Sequence, residues 1–252
     1  MLSDSLKRFI GIDRFRALLD SYTAESKKEV PIKVSYIGVI VALGISLLPA
    51  ASYFLDIYKD TLDIVSVIIG IATLLAILFR VHHGIPFNSV TKWRSSLSLT
   101  HTAFALGAIP TVFVLIFNPE SLLPPPEIMN APSSNAISSE SLTSVILQIS
   151  VWAGLTEEFI YRGLLISALR RAHLFGLNQI NKDKAAVLIS AVIFGFSHYM
   201  LWGLTPSLTL TGLGIGFGLA YIAIGELILP LIVYHIIFDA LSLSFAFLAY
   251  KM

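Results

Sequence analysis

Residues 141–171 read SLTSVILQISVWAGLTEEFIYRGLLISALRR. The stretch is uncharged from Ser141 to Thr156 and long enough to be one helix in a hydrocarbon core, which takes about 20 apolar residues. Yet Glu157, Glu158 and Arg162 stand in its middle. On insertion scales each such charge costs about 2.5–3.5 kcal/mol at a helix centre, and that cost has to be offset or used. Mutual pairing in a polar interior offsets it; catalysis or transport uses it.

The rest of the chain supports a membrane setting for this helix. Of 252 residues, 56% are hydrophobic and only 13% charged, and mean hydropathy is +0.80, whereas soluble domains carry roughly 25% charged residues. Further apolar spans are expected at 34–55, 62–80, 97–117, 185–203, 207–224 and 227–250. With 141–169 this makes an all-α, polytopic transmembrane bundle of about seven spans, six to eight if the short connection near 225 is read differently. Pro49, Pro110 and Pro230 fall inside or at the ends of spans, where neighbouring helices can satisfy the freed carbonyls. The absence of cysteine removes thiol nucleophiles and cysteine metal sites. A net charge of +1 gives no field to attract nucleic acid.

Basic residues set the orientation. With a cytoplasmic N-terminus, all 17 of them lie on the inner side except Lys59, Lys251 and the intramembrane Arg162. Four regions follow: a cytoplasmic segment 1–33, three spans over 34–117, an extracytoplasmic Pro/Ser-rich loop 118–140 without Lys or Arg, and a polar-bearing core 141–252. In the first region Leu6, Phe9, Ile10, Phe15, Leu18 and Leu19 recur at helical spacing among arginines and lysines. That pattern suits an interfacial amphipathic helix or a solvated, partly helical tail. His82 and His83 are expected to be solvated in an inner loop beside Arg80. Gly212, Gly214, Gly216 and Gly218 form two overlapping GxxxG patterns, a sign of close helix packing.

The ionisable residues singled out within spans are Glu157, Glu158, Arg162, His198, His235 and Asp239, with Glu226 near the cytoplasmic edge. Glu158 and Arg162 are four apart and share a face, so they should pair. Glu157 lies about 100° round the helix, aligned with Tyr161, and is left free to exchange protons with water. Phe194 and His198 share a second face, His235 and Asp239 a third. At 1.5 Å per residue, Glu157 and His198 both sit about 20 Å above the inner ends of their helices, so they can meet. A carboxylate base and two imidazoles are the parts of a hydrolytic site.

These residues resemble a known family. EEFIYR at 157–162, FGFSH at 194–198 and HIIFD at 235–239 follow the order EExxxR, FxxxH, HxxxN/D of the CPBP intramembrane proteases, which include CAAX prenyl endopeptidases and Abi bacteriocin-immunity proteins. The likeness covers about residues 141–245. It implies that Glu157 activates water, that His198 helps hold it, that His235 and residue 239 stabilise the oxyanion, and that Glu158, Arg162, Tyr161 and Phe194 support the site. Many members carry Asn where this chain has Asp239. An ionised Asp only accepts hydrogen bonds, so Asp239 must be protonated or act by orienting His235.

The preferred reading needs no cofactor. The alternative is a divalent metal such as zinc, held by Glu157, His198 and His235 from three helices. The expected function is an intramembrane endopeptidase, multi-pass in the cytoplasmic membrane if the source is prokaryotic. Its partners would be the bilayer and a membrane protein or peptide, lipid-modified or carrying a sorting tag; no nucleic acid is expected. A proton-coupled transporter and a non-catalytic immunity or binding protein are the rival readings.

Overall fold

Where nearly every side chain is apolar, a backbone buried away from water must satisfy its own hydrogen bonds, and a helix does so within one segment. The computed structural model describes residues 12–28, 34–54, 62–87, 89, 92–117, 139–172 and 177–251. Its helices are α1 (Ile12–Ser26), α2 (Tyr36–Phe54), α3 (Leu62–His82), α4 (Trp93–Gly107), α5 (Ile109–Phe117), α6 (Ser139–Glu157), a π-helix (Glu158–Ile166), α7 (Ser167–Arg171), α8 (Gln179–Trp202), α9 (Leu204–Ala223) and α10 (Leu229–Lys251). Among the described residues the one β feature is an isolated bridge between Val34 and Ala172. The expected all-α class is what forms. Trp93–Val114, across the α4–α5 joint, and Leu204–Ala223 are long and apolar enough to cross a membrane; Tyr36–Leu48, Ser66–His82 and Leu229–Ser244 are shorter apolar helices. All but the last two residues of the 118–140 loop lie outside the described residues.

Helix α9 packs against both α4 and α8, and its glycines show how. A Cβ on Gly216 would lie 2.4 Å from the Ala103 carbonyl oxygen, and one on Gly212 would lie 3.1 Å from that of Gly107. These two face α4. Gly214 and Gly218 face α8, at 3.0 Å from Ala191 Cα and 2.9 Å from Val187 Cγ1. Each GxxxG thus serves a different neighbour, and missing side chains let the backbones approach. Gly154 does the same for α6 and α10, where a Cβ would meet Ile236 Cγ1 at 2.7 Å.

The N-terminal segment is helical, and one stripe of it, Leu18, Tyr22 and Ser26, is buried at the i, i+4, i+8 spacing of one helix face. It docks on α9 and α4, while Phe15 and Leu19 stay exposed.

The ends of α7, α8 and α9 meet in a buried ionic cluster. Arg170 Nε and Nη2 donate to Asp183 Oδ1 and Oδ2 at 2.8 and 3.1 Å, and Nη1 donates to Glu226 Oε1 at 2.5 Å. Arg171 donates to both Glu226 oxygens, at 3.0 and 2.7 Å. Gly225 and Glu226 have φ of 75° and 64°, which reverses the chain between α9 and α10. A non-glycine residue in this region costs roughly 1–2 kcal/mol, and the two arginines that hold its carboxylate offset that strain. Burial works to raise the Glu226 carboxyl, but the Arg171 hydrogen bonds and the charges of Arg170 and Arg171 outweigh it, so its pKa lies below the ordinary 4.5. Burial likewise works against the charge of Arg170, and Glu226 and Asp183 more than restore it.

Arg80 corrects the expectation of a solvated inner loop. His82 is exposed and His83 half-buried, but Arg80 is 0% exposed, because the backbone and hydroxyl acceptors around it replace the water it gives up.

Two outcomes follow. Gly216→Ala must push α4 aside and should cost about 1–3 kcal/mol of stability, read as a lowered thermal midpoint in detergent. Gly44→Ala, with nothing within 4 Å of the added carbon, should leave the midpoint unchanged or raised. The stabilisation from Glu226 is complete above its ordinary value of 4.5 and is lost as the pH falls through the lowered one. The midpoint of the wild type should therefore fall more steeply than that of Glu226→Gln between about pH 5 and about pH 3, the two curves converging at the acid end.

Candidate active site

The three motifs come from three rods: α6 with the π-helix, α8, and α10. The first is continuous from Ser139 to Arg171 but changes pitch at Glu158. For nine residues it is a π-helix, a form that is rare and found mostly at functional sites. The wider turn keeps Glu158, Phe159, Ile160, Tyr161 and Arg162 all buried, which an amphipathic α-turn would not do.

Glu158 and Arg162 pair as their spacing predicts, with Arg162 Nη1 at 3.0 Å from Glu158 Oε1 and side chains 1% and 0% exposed. The contact is ionic, since no Arg162 nitrogen makes a hydrogen bond among the described residues. The guanidinium lies instead over the faces of Phe194, at 4.6 Å from the ring centroid, and Phe217, at 5.3 Å. Aromatic faces carry negative charge density toward a cation, so the arginine is held by one carboxylate and two rings.

Glu158 also accepts from His235 Nδ1 at 2.8 Å. A carboxylate beside a guanidinium is an acceptor, so the proton is on Nδ1 and the other ring nitrogen faces the opposite way. There His235 Nε2 lies 3.4 Å from Glu157 Oε2 and 3.5 Å from Asp239 Oδ2. His198 Nδ1 donates to the Phe194 carbonyl at 2.8 Å; a carbonyl only accepts, which fixes this tautomer also. Its Nε2 is 3.6 Å from Glu157 Oε1. Each oxygen of Glu157 therefore faces one imidazole, at separations beyond a direct hydrogen bond and suited to a shared water. The side chains of Glu157, His198 and Asp239 are 23%, 18% and 21% exposed, so the centre is accessible while its ion pair is sealed.

Phe194 is the common neighbour, 2% exposed, with ring centroids at 4.9 Å from His198, 6.3 Å from His235 and 5.2 Å from Tyr161. All eight side chains singled out in the sequence meet here: seven line the centre, and Tyr161 touches it through Phe194. The orienting partner of His235 is Glu158, which takes Nδ1; Asp239 stands on the Nε2 side with Glu157. Sequence reading missed Phe217, whose ring stacks on His235 at 5.7 Å and 15°. The FG pair at 217–218 within the glycine-rich helix was the signal. Among the described residues no group of three or more His, Asp or Glu side chains is found that could hold a metal ion.

The helix bundle thus carries a carboxylate between two imidazoles, beside a sealed ion pair. Residues 139–241 match the family model described as Rce1-like, type II CAAX prenyl endopeptidase. This segment, which holds every residue of the site, is similar to that family of membrane-embedded proteases, and the match supports a protease-type enzyme acting on a protein in a membrane. No curated protein and no solved structure matches the chain.

Removing Arg162 alone leaves Glu158 buried without its cation, a loss of about 3–5 kcal/mol. Arg162→Met should lower the thermal midpoint markedly, and adding Glu158→Gln should recover part of the loss. A double variant no more stable than Arg162→Met would show that the two charges are not coupled.

Proposed function

We propose that the protein is a glutamate-dependent intramembrane endopeptidase. One observation carries the reading: the two oxygens of Glu157 face the Nε2 atoms of His198 and His235 at 3.6 and 3.4 Å. Glu157 takes a proton from a water whose other hydrogen is accepted by His198 Nε2. The hydroxide oxygen bonds to the scissile carbonyl carbon, and the carbonyl oxygen becomes an oxyanion. His235, with Nδ1 already donating to Glu158, donates from Nε2 as imidazolium, and protonated Asp239 donates beside it. The C–N bond breaks, the proton held on Glu157 passes to the leaving amine, and the new carboxyl group departs. Glu158 and Arg162 take no part in proton transfer; they hold His235 in the donating orientation.

The regional reading is retained with this function. The 1–33 segment lies at the cytoplasmic face, 34–117 supplies three spans, 118–140 is an extracytoplasmic loop, and 141–252 is the catalytic core. With about seven spans and the N-terminus inside, the enzyme is multi-pass, in the cytoplasmic membrane if the source is prokaryotic. The substrate is a membrane protein or peptide with a lipid-modified C-terminus or a sorting tag. The family match favours neither the transporter nor the immunity alternative.

The test is cleavage of an internally quenched, farnesylated CAAX peptide and of an unmodified transmembrane reporter by purified protein in proteoliposomes, with products identified by mass. Wild type should cut at a discrete bond. Glu157→Gln keeps the shape and removes the base, and should lower kcat by about 10²–10⁴-fold. Equal cleavage by both proteins would sink the mechanism.

A further inference from the structure

Arg80 lies outside the family-matched segment, on the last turn of α3, yet it is among the largest fully buried side chains of the molecule. Its guanidinium spans three elements. Nη1 donates to the Tyr221 hydroxyl on α9. Nη2 donates to the Pro86 carbonyl in the segment after α3 and, at 2.8 Å, to the Glu226 carbonyl in the left-handed turn before α10. The charge also lies 5.3 Å from the Phe87 ring centroid and 5.7 Å from that of Tyr221.

Both catalytic rods are reached from this point. Toward the glutamates, Tyr221 Oη is 2.7 Å from Ser167 Oγ, and Ser167 is the residue that closes the π-helix. The Arg80 stem packs on the same turn, with Cδ 3.2 Å from where a Cβ on Gly163 would stand. Toward the histidine, the Phe87 carbonyl accepts from the backbone N–H groups of Ile228 and Leu229, both at 3.2 Å. These open α10, and His235 follows less than two turns later. The Phe87 ring also contacts that of Phe159 at 6.0 Å.

We infer that Arg80 is a positioning residue of the site: its guanidinium ties the end of the π-helix to the start of α10 and so sets the separation of Glu157 from His235. It touches no reacting group. Five N–H donors in a rigid plane allow one side chain to span acceptors on three elements, which the point charge of lysine does not. Misplacing catalytic groups by about 1 Å costs on the order of 100-fold in rate, so a small shift of either rod at Arg80 is felt at the chemistry. The inference rests on the proteolytic reading above.

The experiment uses the same farnesylated reporter peptide, with all rates normalised to folded, monodisperse protein in proteoliposomes. Glu157→Gln is run in parallel: if it cleaves like wild type, the glutamate-dependent mechanism fails irrespective of Arg80. Given that control, Arg80→Lys should lower kcat at least about tenfold with KM within about twofold. Tyr221→Phe, which removes one acceptor and keeps the ring, should lower kcat by a smaller factor. The double variant should be no slower than Arg80→Lys alone, because both act through one linkage. A merely structural arginine would reduce the folded fraction and leave kcat per folded molecule intact. That result, a rise in KM at unchanged kcat, or strictly multiplicative effects of the two substitutions would overturn the inference.

Discussion

A carboxylate and a guanidinium with essentially no solvent contact, Glu158 and Arg162, have to neutralise each other. Neither can be removed alone without stranding the other, and separating either from water has already cost several kcal/mol. The surroundings are arranged accordingly. Phe194 and Phe217 lay their faces on the guanidinium, and the spare capacity of the carboxylate goes to His235 Nδ1. From that one hydrogen bond follows the direction of His235 Nε2, toward Glu157 and Asp239. A sealed ion pair thus serves as the fixed reference for a more accessible candidate site a few ångströms away.

Two adjacent glutamates are set in different surroundings by pitch. Glu157 ends α6 and Glu158 begins the π-helix, so consecutive residues face different environments, one shared with two imidazoles and one with an arginine. The sealed member is paired with Arg162; the open member faces His198 and His235. A second ionic cluster, built from Arg170, Arg171, Asp183 and Glu226, closes the far ends of the same helices. Arg80 joins it through the Glu226 carbonyl, so both clusters bear on the rods that carry the site.

Much of the site was legible in the sequence because its constraints are local. The Glu158–Arg162 pair follows from i, i+4 spacing; the facing of Phe194 with His198 and of His235 with Asp239 follows likewise; equal helical depth brought Glu157 and His198 together. The alternating glycines of α9 announced close packing. What was not legible was the burial of Arg80. Local sequence places it at an apolar-to-polar boundary beside two histidines, where a cation is ordinarily solvated. Its acceptors, Pro86, Tyr221 and Glu226, are partly more than a hundred residues away, and no window of sequence contains them.

The sequence alone determined that the chain is a bundle of apolar helices and which few polar residues it could not leave unpaired, because the cost of burying a charge depends on residue type and on position along a helix. Tertiary structure decided which partner each one received. The π-turn at Glu158, the capture of His235 Nδ1 by Glu158 in place of Asp239, and the span of Arg80 across three elements all depend on which helices pack together and at what distance, and that is set by glycine contacts such as Gly154 against Ile236 and Gly216 against Ala103, not by the spacing of any one motif.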